Sequence, residues 1–171
     1  MAGLSNNATC VFFLSPLGGV ASLRYHCIME PIPDDPGRRG AVAIIPRDGR
    51  MLIIRRSQTV VAPLTYCFPG GGIEDGESEE VALVREVREE IGVTVRPVRR
   101  LWQCVTAWKV QLAWWLAELD DQAVPVPSPR EVESIHWVTP REMAQLPGLL
   151  DSNRVFLELI ERGEIQWDGK E

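Results

Sequence analysis

Apolar positions along this chain change period several times, and each change marks an element. Gly40-Ala41-Val42-Ala43-Ile44-Ile45 carries no polar side chain, the pattern of a strand buried on both faces. Asp48-Gly49 is a hairpin signal, and Met51-Leu52-Ile53-Ile54-Arg55 returns antiparallel. Ser57 to Tyr66, broken by Pro63, reads as an irregular loop leading into a short strand, Tyr66-Cys67-Phe68. The period then becomes helical: Val84, Val87 and Ile91 form one apolar stripe, and Gly92 stops the helix. Thr94-Val95 starts an extended segment that Pro97 interrupts and Val98 to Val105 resumes. Lys109 to Leu119 scores as helix or strand, and its aromatic content favours a long strand. Asp120 to Arg130, with Pro125, Pro127 and Pro129, is an exposed loop before a strand at Glu133 to Val138. Thr139-Pro140 opens a short helix, with threonine as cap and proline at its first position. A last helix from Ser152 to Glu161 buries Val155, Phe156, Leu159 and Ile160, and a charged, frayed tail follows over 163–171. The order β-β-β-α-β-β-β-α-α, with no internal repeat, predicts an α+β domain over residues 40–162.

The first 39 residues stand outside that pattern. Cys10-Val11-Phe12-Phe13-Leu14 is apolar, but no Lys or Arg precedes it and Pro16-Leu17-Gly18-Gly19 breaks it. It meets neither the basic start of a signal peptide nor the ~20 apolar residues of a membrane span. Arg24 to Glu30 reads as a strand before the Pro31 to Gly37 turn, so 1–39 is an extension, either an added strand or a partly disordered segment. The 171 residues suit one domain with a sizeable core. A net charge of −6 argues against a general nucleic-acid surface, but not against a phosphate-bearing small molecule whose cation brings positive charge with it. The four cysteines (Cys10, Cys27, Cys67, Cys104) are scattered and the two histidines, His26 and His136, lie far apart, so no zinc spacing exists. Unpaired cysteines of this kind point to a reducing compartment, the cytoplasm.

Residues 68–93 hold the chemistry. Gly70, Gly71 and Gly72 let backbone amides and carbonyls approach a ligand closely, and the start of the next helix adds amide donors. On that helix Glu86, Glu89 and Glu90 lie three and four residues apart and project together. Like charges so spaced destabilise an isolated helix by ~0.2–0.5 kcal/mol per pair, and a divalent cation reverses the sign. Clustered carboxylates are hard oxygen ligands suited to Mg2+ or Mn2+. A pyrophosphate held there would be polarised for attack at phosphorus.

The same stretch resembles the Nudix box of the MutT-like Nudix hydrolases, G-x5-E-x7-R-E-U-x-E-E-x-G-U with U a bulky aliphatic. Gly71, Glu77, Arg85-Glu86-Val87, Glu89-Glu90, Gly92 and Val93 match it without departure. The resemblance is specific over 68–93 and looser over about 40–162, and it implies a Nudix fold, a mixed central β-sheet between α-helices. It implies Glu86 and Glu90 as principal metal ligands, Glu89 as a third ligand or the base, and the Gly70 carbonyl as a further ligand. Arg85 resembles the arginine that pairs with Glu77 and holds the cluster in place. The general base differs within the family, and Glu131 and Glu133 beyond the proline-rich loop are candidates here.

The implied activity is Mg2+-dependent cleavage of a P–O–P bond in a nucleoside diphosphate linked to another moiety. The alternative, a nucleotide-sensing or interaction module without turnover, sits poorly with a box that keeps every carboxylate. Substrate signatures are thin. Leu52-Ile53-Ile54-Arg55-Arg56-Ser57 matches only part of the coenzyme A segment, and Trp108 stands where ADP-ribose enzymes carry proline. The tyrosine of dinucleoside-polyphosphate enzymes and the NADH-pyrophosphatase signature are missing. Of six tryptophans, Trp102, Trp108, Trp114 and Trp115 follow the box and are candidates for stacking on a base or for the core. Arg47, Arg55 and Arg56 are candidate phosphate contacts, and a monomer and a homodimer are both compatible with the apolar strands.

Overall fold

The structure is a computed structural model that describes residues 37–168. Its eight strands are β1 (Arg38–Ile44), β2 (Pro46–Arg47), β3 (Arg50–Arg56), β4 (Tyr66–Cys67), β5 (Gly70–Gly72), β6 (Val95–Val105), β7 (Val110–Leu119) and β8 (Val132–Val138). Three helices join them: α1 (Glu79–Ile91), α2 (Pro140–Ala144) and α3 (Asp151–Glu161). The expected elements are present, with two short strands, β2 and β5, in addition. The strands form two four-stranded sheets. One has the order β5-β1-β7-β6 and is mixed, with β1 parallel to β7 and antiparallel to β5. In the other, β3 pairs antiparallel with β2, β4 and β8.

Alternation along the strands sorts the core into two halves. Met51 and Ile53 join Phe68, Trp102, Trp114 and Phe156 on the α3 side, while Leu52 and Ile54 join Leu83, Val87 and Ile91 on the α1 side. The helices therefore lie on opposite faces. The stripe of α1 is turned slightly from expectation: Ala82, Leu83, Val87 and Ile91 are buried and Val84 is only half-buried. The alanines at 41 and 43 explain how the helix comes close to β1, since both are fully buried without bulk.

Local chemistry sets the boundaries. Asp48 and Gly49 take φ of 51° and 72°, both positive as a tight two-residue hairpin demands. Ser78 caps α1 by accepting from the Val81 amide at 3.3 Å, and Gly92 ends it at φ 70° with its amide donating to the Arg88 carbonyl. Thr139 and Glu142 form a reciprocal capping box on α2. Pro97 does not divide β6; the strand continues through register shifts against β7. The segment after α3 is less frayed than its charge suggested, because Ile165 is buried and Trp167 packs on the α3-side core. Cys67 and Cys104 are buried and unpaired; Cys10, Cys27, His26 and the strand expected at 24–30 lie outside the described residues. Among the described residues no helix is long and apolar enough to cross a membrane.

Candidate active site

The glycine strand β5 lies against helix α1. β5 pairs with β1 through Gly40–Gly72, Ala41–Gly71 and Val42–Gly70, which fixes the glycines along the side of α1. Gly70 has φ 139°, and a Cβ there would lie 2.1 Å from the Ala41 carbonyl oxygen. At Gly71 a Cβ would lie 2.3 Å from Oε2 of Glu86, so that carboxylate rests directly on the glycine backbone. Upstream, the Phe68 amide donates to Oδ1 of Asn153, a buried polar residue of α3, at 3.0 Å. Asn153 thus pins the entry to β5 from the opposite helix, and sequence reasoning missed it. Its only trace was an amide on the inner face of an apolar helix.

Arg85 organises the rest. Its Nε and Nη2 donate to the two oxygens of Glu77 at 2.9 and 2.8 Å, and Nη2 also donates to the Gly72 carbonyl at 2.8 Å. Nη1 donates to Glu86 at 2.9 Å and, more loosely, to Glu89 at 3.4 Å. The expected Arg85–Glu77 pair is present, and the same guanidinium also carries strand β5. Glu77 is tied further by the Glu74 amide at 3.0 Å. Arg85 first and that amide second hold its carboxyl down at about 2.

The three helix carboxylates are not equivalent. Glu90 is 4% exposed and accepts from the Gly70 amide at 2.8 Å. Burial pushes its carboxyl up to about 8; the Gly70 hydrogen bond and the charge of Arg56 oppose this, and Glu86 and Glu131 add to it. Burial also raises Glu86, against the pull of Arg85. Glu89 is half exposed and lies within 3.4 Å of Arg85. Glu86 and Glu90 thus converge on the glycine strand while Glu89 stays at the rim. Among the described residues no three His, Cys, Asp or Glu side chains form a closed metal cage.

The proline-rich loop is strapped over the end of α1. Ser128 and Val126 amides donate to the carbonyls of Glu90 and Ile91 at 2.8 and 2.9 Å, satisfying two of the helix's terminal acceptors. The Ser57 amide and hydroxyl hold the Glu131 and Arg130 carbonyls, each at 2.8 Å. This separates the two candidate bases. Glu131 lies close enough for its charge to act on both Glu86 and Glu90, whereas Glu133 is paired with Arg55 at 2.6 Å. Of the arginines, Arg56 faces Glu90, Arg55 stacks near Tyr66 and Arg47 lies over Trp137. Trp102 and Trp114 are core residues, Trp108 is exposed in the β6–β7 turn, and Trp115 is half-buried.

These donors are all oxygen, and two of them are carboxylates pressed together at a cost in burial. That suits a hard divalent cation, whose charge would replace the missing counter-ion.

Comparison with known proteins identifies the family. The model of the NUDIX domain matches residues 37–160. The NAD-capped RNA hydrolase NudC of Deinococcus radiodurans is 33% identical over 113 residues, 65% of this chain and 39% of that protein. The CTP pyrophosphohydrolase of Escherichia coli is 30% identical over 109 residues, 61% of this chain and 78% of that one. The chain spans about two fifths of the length of the NudC relatives it matches, at 39% and 42%. A MutT protein from Methanosarcina mazei superposes with a TM-score of 0.65 at 24% identity, covering 77% of this chain and 98% of that one. With the glycine strand, the Arg85 fork and the paired glutamates in place, the chain belongs to the NUDIX domain family, hydrolases of pyrophosphate bonds that typically depend on a divalent metal.

Proposed function

We propose that the chain is a Mg2+- or Mn2+-dependent pyrophosphohydrolase that cleaves the P–O–P bridge of a nucleoside diphosphate linked to another moiety. The convergence of Glu86 and Glu90 on Gly70 and Gly71, held by Arg85, carries this reading. Glu86 and Glu90 would hold the cation, with Glu89 and the Gly70 carbonyl completing the set. Such a cation, when bound, polarises phosphoryl oxygens and acidifies a coordinated water. The chain's own residues supply the rest. Gly70 to Gly72 give the pyrophosphate close access to backbone, and Arg85 keeps the carboxylates aimed at it. Glu131, whose charge reaches both ligands and which no ion pair occupies among the described residues, is the favoured base for the attacking water. Arg56, facing Glu90, is the phosphate contact best placed to offset the substrate's charge.

The unpaired, buried Cys67 and Cys104 support a reducing, cytoplasmic setting. A small nucleotide-type substrate is the partner, acting on a monomer or homodimer. The test is product release from nucleoside triphosphates, nucleotide sugars, ADP-ribose, NADH, coenzyme A, dinucleoside polyphosphates and NAD-capped RNA, with Mg2+, Mn2+ or EDTA. One metal-dependent substrate well above the others names the specificity. No turnover from folded protein that binds metal overturns the reading in favour of a nucleotide sensor.

A further inference from the structure

Adjacent tryptophans on β7 have opposite fates. Trp114 is fully buried against Trp102 and Phe156, whereas Trp115, on the α1 side, is half-buried. Trp115 lines a groove of about 460 Å3 with Arg39 of β1, Arg100 of β6, Ser78, Glu79 and Glu80. The groove lies beside the start of α1, where the helix begins at Glu79. Its Nε1 donates to Glu79 at 2.8 Å, which fixes the ring, and Arg100 donates to the same carboxylate at 3.1 Å, which matches its charge. Arg39 remains. It is half-buried, and among the described residues its guanidinium has no hydrogen bond or ion pair. A fixed indole and an unmatched guanidinium lining one open groove are recognition chemistry for a flat ring carrying an anion.

We propose that this groove binds a nucleoside monophosphate unit, the base against Trp115 and the phosphate on Arg39. The site adjoins the glycine–carboxylate centre at Arg39, whose carbonyl accepts from the Ile73 amide at 2.9 Å, and extends away from it toward the start of α1. Glu79 precedes Glu86 by seven residues, about 10 Å along the helix axis. Exposed Glu80 at the rim disfavours more highly charged phosphates here. The unit has two sources, a free mononucleotide or the far half of a dinucleotide substrate.

The test titrates AMP and CMP, with inorganic phosphate and adenosine as controls, into the full chain in EDTA, by calorimetry and tryptophan emission. Reading binding without metal or turnover keeps it independent of the proposed hydrolysis. AMP should bind and quench emission, and phosphate alone should bind at least about tenfold more weakly. Arg39→Gln should weaken AMP by about tenfold, the loss of one charge-assisted hydrogen bond. Trp115→Phe should weaken it less, and Glu86→Gln should leave it unchanged. Should Trp115→Phe prove unstable, Arg39→Gln carries the test alone. Where Arg39→Gln also raises KM for dinucleotides but not for nucleoside triphosphates, the unit is the far half of the substrate; with KM unchanged, it is a free nucleotide. No AMP binding, binding indifferent to Arg39→Gln, or binding lost in Glu86→Gln overturns the proposal.

Discussion

Arg85 and Glu77, eight residues apart, share two parallel hydrogen bonds of 2.9 and 2.8 Å, so the turn before α1 is clamped to its middle. The same guanidinium holds Gly72 of β5 and Glu86 of the helix. One side chain therefore ties loop, strand and carboxylate into a single unit. Arg85→Ala should lower both activity, by about 10–100-fold as the loss of a residue that orients metal-binding carboxylates does, and the melting temperature. Arg85→Lys should rescue little, since an ammonium cannot fork onto a carboxylate. Kinetics and thermal melts on both variants check this, and wild-type melting of Arg85→Ala would count against the clamp.

Acid should expose the same pair. Arg85, then the Glu74 amide, hold Glu77 down at about 2. A carboxyl lowered in the folded state contributes stability above its ordinary value of 4.5, and loses it as pH falls toward about 2. Glu142 is lowered too, first by the Thr139 amide and hydroxyl and then by Arg50, so it adds to the same acid limb. The melting temperature of Glu77→Gln should fall less steeply than wild type across that window. Parallel limbs would show that Glu77 contributes nothing there.

Much of this was legible in the chain. The Asp48-Gly49 hairpin, the Gly92 stop and the Thr139-Pro140 start depend on short-range backbone chemistry, which residue identity reports directly. The Arg85–Glu77 pair was legible through family resemblance. What was not legible depends on partners distant in sequence. Gly70 to Gly72 form a strand only because β1 offers backbone to pair with, and glycine has no strand preference to announce it. Asn153 and Phe68 are 85 residues apart, and no local pattern links them. Helical spacing put Glu86, Glu89 and Glu90 on one face, but the Gly70 amide and the packing of the sheet decide that Glu90 is buried and Glu89 is not.

The two glycines that touch most closely should fail differently. Gly70→Ala drives a Cβ into the Ala41 carbonyl, which is backbone that cannot retreat, at a left-side φ of 139°. It should lose several degrees of melting temperature, about 2–4 °C per kcal/mol for a domain of this size. Gly71→Ala meets only the carboxylate end of Glu86, which can swing away. That variant should melt near wild type yet lose metal affinity and turnover. Equal destabilisation by both would contradict the placement of Glu86.

Glu86→Gln should remove most activity with an unchanged melting temperature, and an active variant would sink its assignment as a ligand. Glu90 makes a sharper case. A buried acid raised to about 8 folds best protonated, so metal-free stability should decline as pH climbs from 4.5 toward that value. Glu90→Gln keeps an oxygen for the Gly70 amide and removes the ionisation. It should abolish the decline, melt higher than wild type at neutral pH without metal, and be inactive with metal. A destabilised Glu90→Gln would mean the carboxylate is compensated in a way its surroundings do not reveal.

Glu131 and Glu133 are two residues apart and chemically identical, so the pair is a controlled comparison. Glu133 is spent on Arg55, half exposed, and its loss should change turnover by no more than a few tenths of a kcal/mol in barrier, as surface pairs do. Glu131 hangs from the Ser57-held loop with its charge directed at Glu86 and Glu90. Glu131→Gln should lower kcat by about 10²–10⁴, the usual contribution of a general base. KM should change little, since the amide keeps the loop's backbone bonds through Ser57. If Glu133→Gln suffers the larger loss instead, the Arg55 pair opens during turnover and the base is on β8 rather than on the loop.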